Sequence, residues 1–582
     1  MTTIGKLLVA NRGEIALRVM RTAKEMGIAT VAVYSDPDRD ALHVRYADEA
    51  FALGGSSPSQ SYLNAERILE VAKRAGADAL HPGYGFFAEN ANFARSVIAA
   101  GLVWVGPHPD AIDAMGDKLR ARAAMVKAGV PVVPGKLEPV KNLDEAKRAA
   151  KEFGLPLALK AAAGGGGKGL RVARTVDELE SALTVAQREA EAYFKDATIY
   201  AERYLDNPKH VELQVLADKH GNVVHVGERD CSLQRRHQKV WEETPATISD
   251  KVRRGIREAG LRAAKAIGYD SAGTIECLVA GDEFFFLEMN TRIQVEHTVS
   301  EMISGLDLVR EQIRVAAGEP LGYTQDAIEL RGHSIEVRIN AEDPANNFAP
   351  APGTITRYRE PGGPGIRVDS AAFGGMTITP DYDSLIAKLV IWAPTRDTAR
   401  ARLRRALDEF TVEGVATTIP LLRALVDEPS VRDATYGTAT LEPFAASAKL
   451  ELAPQLNGTQ ADAGSTDAIV RVEVNGKLFR VRMLDQPPAL AATTGRRPPP
   501  KLESRSGKAR TNENAVVSPM HGVVVEVKVK PSDALESGTL VAVIEAMKMM
   551  NEIRSPRAGT VAEVKVAAGQ TVETGAVLVT FS

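Results

Sequence analysis

The feature that most constrains this chain is a repeat near its C-terminus. Residues 518–544 align with residues 555–581 without a gap. Ser518-Pro519 matches Ser555-Pro556, Gly522 matches Gly559, and Glu526-Val527-Lys528-Val529 matches Glu563-Val564-Lys565-Val566. Further on, Gly538 matches Gly575 and Ile544 matches Phe581. Each half reads as short alternating β-branched strands punctuated by Gly and Pro. Two such halves bury one another's apolar faces as a small sandwich, and the segment 545–554, unmatched by the repeat, is expected as a hairpin at its tip. Lys548 lies in that hairpin between Met547 and Met549, on the axis relating the halves. A lone lysine is ordinarily a solvated surface group; this one is singular by position.

The rest of the chain is organised differently. With 582 residues, about three to five domains are expected. A net charge of −3 gives no general attraction to nucleic acid or to membranes, so neither is expected as a partner. Two cysteines, Cys231 and Cys277, rule out a disulfide framework. No apolar run approaches a membrane span, and Met1-Thr-Thr-Ile-Gly-Lys6 lacks signal character, so a cytoplasmic protein is expected. Lys6–Asn11 reads as a buried strand. A helix from Glu14 follows, with Ile15, Val19, Ala23 and Met26 as its apolar stripe and Gly27 as its stop, and then a strand at 30–34. This strand–helix–strand opening predicts a parallel α/β domain. A basic helix is expected near 396–409, and a strand pair over 468–483 turns at Asn475-Gly476. Arg496–Asn512 has no apolar periodicity and reads as a tether, about 55 Å long at full stretch.

Two segments carry chemistry. Lys160 precedes a run of glycines, Gly164 to Gly167, then Lys168-Gly169. Lacking Cβ atoms, such a run lets backbone N–H groups close around phosphate oxygens. The spacing is not that of a P-loop. Both a surface loop and a nucleotide flap remain open readings, with residues 157–161 and 170–173 as antiparallel strands beside the run. The second segment pairs Thr274–Leu278 with Phe284–Glu296. A hairpin centred on residue 282 places Glu276 opposite Glu288, about 4.5–5.5 Å apart at Cβ. Two such charges require a proton or a cation between them, and their oxygens suit Mg²⁺. Asn290 shares their face. For Arg292, Gln294 and Glu296 to serve the same site, the chain must bend after Asn290.

At this point the residues resemble a known family. Ala10-Asn11-Arg12-Gly13-Glu14-Ile15, His81 to Gly85, Glu228 to Lys239, Glu288 to His297 and Arg331 to Arg338 are similar to the motifs of biotin carboxylase, of the ATP-grasp superfamily. Residues 515–582 resemble its biotin carboxyl carrier domain, and Ala546-Met547-Lys548-Met549 the biotin-accepting form. The resemblance implies a multidomain α/β and α+β fold. Its parts are a parallel α/β N-terminal domain (1–115), an ATP-grasp domain (116–330), a biotin carboxylase C-terminal domain (331–447), a small linking region with a β-hairpin (448–495), a flexible linker (496–514) and a tethered all-β biotinyl/lipoyl sandwich (515–582). The arrangement looks like the α subunit of an acyl-CoA carboxylase.

The same resemblance implies the site. Lys118, Lys160, Gly166, Gly167, Glu202, Arg203, Tyr204, Leu205, His210, Gln234, His237, Glu276, Leu278 and Glu288 would bind ATP. Glu276, Glu288 and Asn290 would hold Mg²⁺ or Mn²⁺, and Lys239, Arg292, Gln294 and Val295 would receive bicarbonate. Glu296 would be the general base, Arg338 would face the biotin ureido oxygen, and Lys548 would carry biotin covalently; Lys239, Arg292, Glu296 and Arg338 form the catalytic set. The partners implied are further copies of the carboxylase part, a biotin protein ligase and a separate carboxyltransferase β subunit. Pyruvate, or another acyl-CoA such as methylcrotonyl-CoA or a long-chain one, is the alternative acceptor. Cys231 and Cys277 read as packing residues, and Arg235 and Arg236 as loop-solvating ones. Thr298 stands where the family commonly has Pro, Thr244 where Ala is common and Trp241 where a smaller aliphatic is common.

Overall fold

A computed structural model describes residues 2–136, 138–161, 170–194, 196–235, 238–448, 450, 468–474, 477–483, 515–520, 522–546, 549–572 and 575–582. The strand Lys6–Val9 is central to a five-stranded parallel sheet, flanked by Ala29–Tyr34 and Ala79–His81, with Glu49–Ala52 and Val103–Trp104 at its edges. The helix Gly13–Glu25 buries Ile15, Val19 and Ala23 as its periodicity requires. A crossover helix between parallel strands is what a buried apolar strand followed by an amphipathic segment dictates.

An eight-stranded sheet organises the middle of the chain. Its order is Glu283–Asn290, Ala272–Ala280, Lys209–Ala217, Val223–Arg235, Gln238–Thr244, His333–Asn340, Leu385–Ala393 and Ile366–Ser370. The pairings are antiparallel. The sheet crosses residue 330 without a break, because Gln238–Thr244 pairs directly with His333–Asn340. One face is apolar: Val211, Leu213, Val215, Ile275, Cys277 and Val279 pack with Val252, Ile256, Ala259 and Ala263 of the helix Asp250–Ala266. The period of two then sends His210, Glu212, Gln214, Thr274 and Glu276 to the other face. The basic helix is Arg396–Glu409. Leu157–Ala161 and Leu170–Ala173 pair antiparallel, as expected, with Ile199–Arg203 on the far edge.

The C-terminal repeat folds as a sandwich of two four-stranded sheets. One sheet holds Ala515–Val517, Val577–Phe581, Gly559–Val564 and Ala534–Leu535; the other holds Met549–Arg554, Leu540–Ala546, Gly522–Val527 and Thr571–Val572. Exchanging the two sequence halves turns each list into the other, so every sheet draws strands from both halves. Val524, Val541, Ile544, Val561, Val579 and Phe581 fill the core between them. The repeated residues do matched work. Ser518 and Ser555 each donate from Oγ to a carbonyl two residues on, at 2.6 Å. Gly538 and Gly575 take φ of +88° and +84°, which a side chain resists. The hairpin expected over 545–554 is present and extends back into the first half of the repeat. Ala546 is the register partner of Met549, so the hairpin is continuous over 540–554 and only Met547 and Lys548 lie between its strands. Those two residues lie outside the described residues, as do Asn475, Gly476, the tether 496–514 and the glycines 164–167. The strands Ala468–Val474 and Lys477–Met483 pair antiparallel.

Candidate active site

A row of charged residues runs straight across four strands of the large sheet. Glu288 is the register partner of Glu276, Glu276 of Glu212, and Glu212 of Arg229. The hairpin reaches this register by a different route from the one expected. Its turn is only Gly281-Asp282, with Ala280 opposite Glu283. A shift between Glu276 and Cys277 inserts Leu287 as an extra residue, and this bulge restores Glu288 to its place opposite Glu276. The strand ends at Asn290, the chain bends through 291–296, and the helix His297–Ser304 begins. That bend brings Gln294 and Glu296 back over the row.

Lys239 closes the cluster. Its ammonium lies 2.6 Å from Glu212 Oε2, 3.0 Å from Glu276 Oε1 and 2.6 Å from Glu296 Oε1. Burial works against that charge, but the three carboxylates outweigh it and hold Lys239 well above the ordinary lysine value. Glu276 Oε2 also lies 3.0 Å from His210 Nε2, and the carboxylate accepts from Asn290 Nδ2 at 3.0 Å and Gln294 Nε2 at 2.8 Å. Burial would raise Glu276; Lys239 and His210 overcome it and hold the carboxylate well below its usual range. Glu296 is held far below that range in the same way, against burial, by Lys239, Arg338 and Arg229. Arg338 donates to Glu242 Oε1 at 2.7 Å and to Glu296 Oε2 at 3.0 Å. Arg292 donates to Glu89 Oε2 at 2.9 Å and to Asn290 Oδ1 at 2.7 Å.

The structure therefore brings together Lys239, Glu276, Glu288, Asn290, Arg292, Gln294, Glu296, Arg338 and His210. The residues assigned to ATP are spread along the neighbouring elements. Lys160 pairs with Glu202, and Arg203 with Glu283 at 2.9 Å. Tyr204 has the Arg174 guanidinium over its ring. Leu205 packs on Val133 and Phe285, with Leu278 against the same cluster. Gln234 is the register partner of Lys239, Val295 offers its carbonyl to Lys388 at 3.0 Å, and Lys118 opens the helix Lys118–Lys127. Gly166, Gly167 and His237 lie outside the described residues. Arg235 corrects a minor reading. Rather than solvating a loop, it is buried, bonds Asn347 and stacks over Phe348.

Four residues bonded to this cluster were not foreseen from the sequence: Glu212, Arg229, Glu242 and Glu89. Arg229 is fully buried and reaches Glu212 at 2.5 Å, Gln214 and Gln294 at 2.7 Å, Ser300 at 3.0 Å and Thr274 at 3.1 Å. A signal was present in His210-Val211-Glu212-Leu213-Gln214, where polar residues alternate with core residues inside a strand. The donor set also tests the metal assignment. Two opposed carboxylates with an amide oxygen nearby are oxygen ligands of the kind Mg²⁺ takes, and Glu276 and Glu288 fit it. His210, Glu212 and Glu276 also bring ligand atoms within 4.8 Å of one another, but with an imidazole among them.

Known proteins share this architecture. Residues 3–112 match the biotin carboxylase N-terminal domain, and 117–324 match the ATP-binding domain of the carbamoyl-phosphate synthase L chain. Residues 336–443 match the biotin carboxylase C-terminal domain, and 514–581 match the biotin-requiring enzyme family. The biotin-dependent acyl-coenzyme A carboxylase alpha3 subunit of Mycobacterium leprae is 47% identical over 94% of both chains. A pyruvate carboxylase subunit of Methanothermobacter thermautotrophicus is 51% identical over 75% of this chain and 90% of its own. The crystal structure of the biotin carboxylase domain dimer of Hydrogenobacter thermophilus 2-oxoglutarate carboxylase contains magnesium ADP, ADP and bicarbonate. It is 51% identical with a TM-score of 0.71, over 76% of this chain and 99% of that one. An ATP-grasp carboxylase and a biotinyl sandwich on one chain define the class. The chain belongs to the biotin-dependent carboxylases, as a biotin carboxylase fused to a biotin carrier domain of the acyl-CoA carboxylase α-subunit family. Among the described residues, no helix is long and apolar enough to cross a membrane.

Proposed function

We propose that this protein uses ATP and bicarbonate to carboxylate biotin carried on Lys548, for a separate carboxyltransferase β subunit whose acceptor is acetyl- or propionyl-CoA. The observation that carries this reading is the ion cluster in which Lys239 and Arg338 both grip Glu296. Lys239, Arg292, Gln294 and the Val295 amide receive bicarbonate, a planar anion suited to cationic forks. An anion entering among Lys239, Arg292 and Arg338 takes up part of the field that holds Glu296 ionised. Glu296 thereby becomes a stronger base as the group it deprotonates arrives. Lys160, Lys118, Glu202 to Leu205, His210, Gln234, His237, Leu278 and the Gly166 and Gly167 amides hold ATP. Glu276 and Glu288, with Asn290, would hold Mg²⁺ or Mn²⁺, which supplies charge neutralisation at the transferred phosphate. Biotin, once attached to Lys548, supplies the ureido nitrogen that accepts CO₂, and Arg338 faces the ureido oxygen.

The acyl-CoA assignment draws support from coverage. The acyl-CoA carboxylase relative matches from carboxylase through carrier, whereas the pyruvate and 2-oxoglutarate relatives match only about the carboxylase part. A pyruvate or other acyl-CoA acceptor is the second reading, and the partner's pocket decides between them. A biotin protein ligase, self-association through the carboxylase part and a cytoplasmic location complete the proposal. Purified protein with ATP, Mg²⁺ and free biotin tests it. Phosphate release should require bicarbonate and rise with biotin, and intact mass should place biotin on Lys548. Release indifferent to bicarbonate would overturn the reading.

A further inference from the structure

Two carboxylates behind Arg338 take no part in the chemistry assigned above. Glu242 and Glu336 are register partners on Gln238–Thr244 and His333–Asn340, so their Cβ atoms are about 4.5–5.5 Å apart. Both are fully buried. Glu242 takes its bond from Arg338 on Oε1, and Glu336 takes one from the Thr298 hydroxyl on Oε2. The remaining oxygens, Glu242 Oε2 and Glu336 Oε1, are buried without a hydrogen-bond partner among the described residues. Two ionised carboxylates side by side, each with a bare oxygen in a dry interior, repel strongly.

The surrounding cations offset this repulsion only in part, because each is shared with other carboxylates. Arg338, on Glu336's own strand, is shared with Glu296. Lys388, on the next strand, lies 3.2 Å from Glu14 Oε2 and 3.8 Å from Asp369, and it donates to the Val295 carbonyl. Lys239, on Glu242's strand, is committed to Glu212, Glu276 and Glu296. The strand on the other side brings the Cys231 thiol, which burial and Glu212 keep protonated, and the helix His297–Ser304 brings His297, which burial and Lys388 keep neutral.

We propose that Glu242 and Glu336 hold one proton between them, as an acid–carboxylate pair, and that this proton keeps Arg338 from being pinned to Glu242. The second half rests on the assignment of Arg338 to the biotin ureido oxygen. Burial, with Glu296 adding to it and Arg338 opposing, pushes Glu242 up to about 7. Burial, with Lys388 opposing and Glu242 adding to it, pushes Glu336 well above the carboxylate range. Loss of the proton at alkaline pH makes the pair doubly negative and tightens Glu242 on Arg338, so Glu336 is a positioning residue. Thr298 sets where this happens: by donating to Glu336 it favours the ionised form, which a side chain without a hydroxyl cannot do.

Infrared spectroscopy of the whole protein tests the proton. At neutral pH the wild type should show a protonated-carboxyl band that E336Q lacks, and identical spectra would overturn the proposal. In T298V that band should persist to higher pH than in wild type; an unchanged or lower titration would count equally against it. Turnover of free biotin should fall on the alkaline side in wild type, and this fall should be lost in E336Q. An unchanged fall would sever the pair from Arg338. The infrared arm involves no biotin, so its failure concerns the proton. Absence of biotin turnover at every pH would instead condemn the assignment of Arg338.

Discussion

The carboxylase sheet and the carrier sandwich solve opposite problems with the same element. In the large sheet one face is given over to charge. Glu288, Glu276, Glu212 and Arg229 stand in a row, Glu212 and Arg229 wholly out of water and Glu288 half-buried. In the sandwich the interior is apolar, and the residue assigned to function, Lys548, falls in sequence between the strands Leu540–Ala546 and Met549–Arg554. Buried ion networks are costly to form and strongly destabilised when broken, so side-chain identity is critical across the first region. In the second, the scaffold needs only shape and position.

The sharpest way to break that contrast is Lys548→Arg. The substitution keeps the charge, so melting should be unchanged. Transfer of CO₂ to any acyl-CoA should vanish entirely, while turnover of free biotin continues. Residual transfer, measured by radiolabelled bicarbonate incorporation, would show that the tip is not the carrier point.

The two regions were also unequally legible. The Glu276–Glu288 pair could be read because a hairpin fixes its own register locally, even though the bulge at Leu287 was not foreseen. Glu212 and Arg229 could not be read the same way. Their strand neighbours are set by pairings that no local turn announces, and a polar residue in a strand ordinarily signals a wet face. Here that face is covered by 291–296 and the helix His297–Ser304, which turns it into an interior. The sandwich was legible from its repeat, since two copies need each other's apolar faces. The exchange of strands between halves was not, because it depends on which edges meet in three dimensions.

Arg229→Met tests the charged region directly. It leaves Glu212 buried beside Lys239 alone, and breaking such a pair costs about 3–5 kcal/mol. Denaturant unfolding should show that loss in the carboxylase transition and none in the carrier. Arg229→Lys, which restores charge without the fork, should recover part of it. A variant as stable as wild type would mean that the row is held by the backbone alone.

A pH experiment distinguishes the regions next. Glu243 is buried and bonded by His333 at 2.8 Å, by Arg396 at 2.9 Å and by the Tyr436 hydroxyl. Burial would raise it, yet the bonds from His333 and Arg396 prevail and hold it at about 2. A carboxylate lowered on folding stabilises fully above its unfolded value, about 4.3, and that contribution is lost as pH falls through about 2. The stability gap between wild type and Glu243→Gln should therefore shrink by roughly 3 kcal/mol between about pH 5 and about pH 2. A gap independent of pH over that range would show that the Glu243 carboxylate does not titrate there. Among the described residues the carrier core buries no such ion, and it supplies the flat reference.

The smallest effect tests the sandwich's symmetry. Ser518 and Ser555 occupy equivalent places in the two halves, both buried, each bonding a carbonyl two residues on at the same 2.6 Å. Beside each, the backbone is clasped by the other half of the pattern. Ser518 N–H donates to Ala576 and Gly575 N–H to Ser518, while Ser555 N–H donates to Thr539 and Gly538 N–H to Ser555, all at 2.7–2.8 Å. Replacing either serine by alanine should cost about 1 kcal/mol. Amide exchange should show the two losses to be equal and confined to the carrier. Unequal losses would mean that the repeat preserves the fold's geometry without sharing its energy, and that the half with the larger loss carries the stability for both.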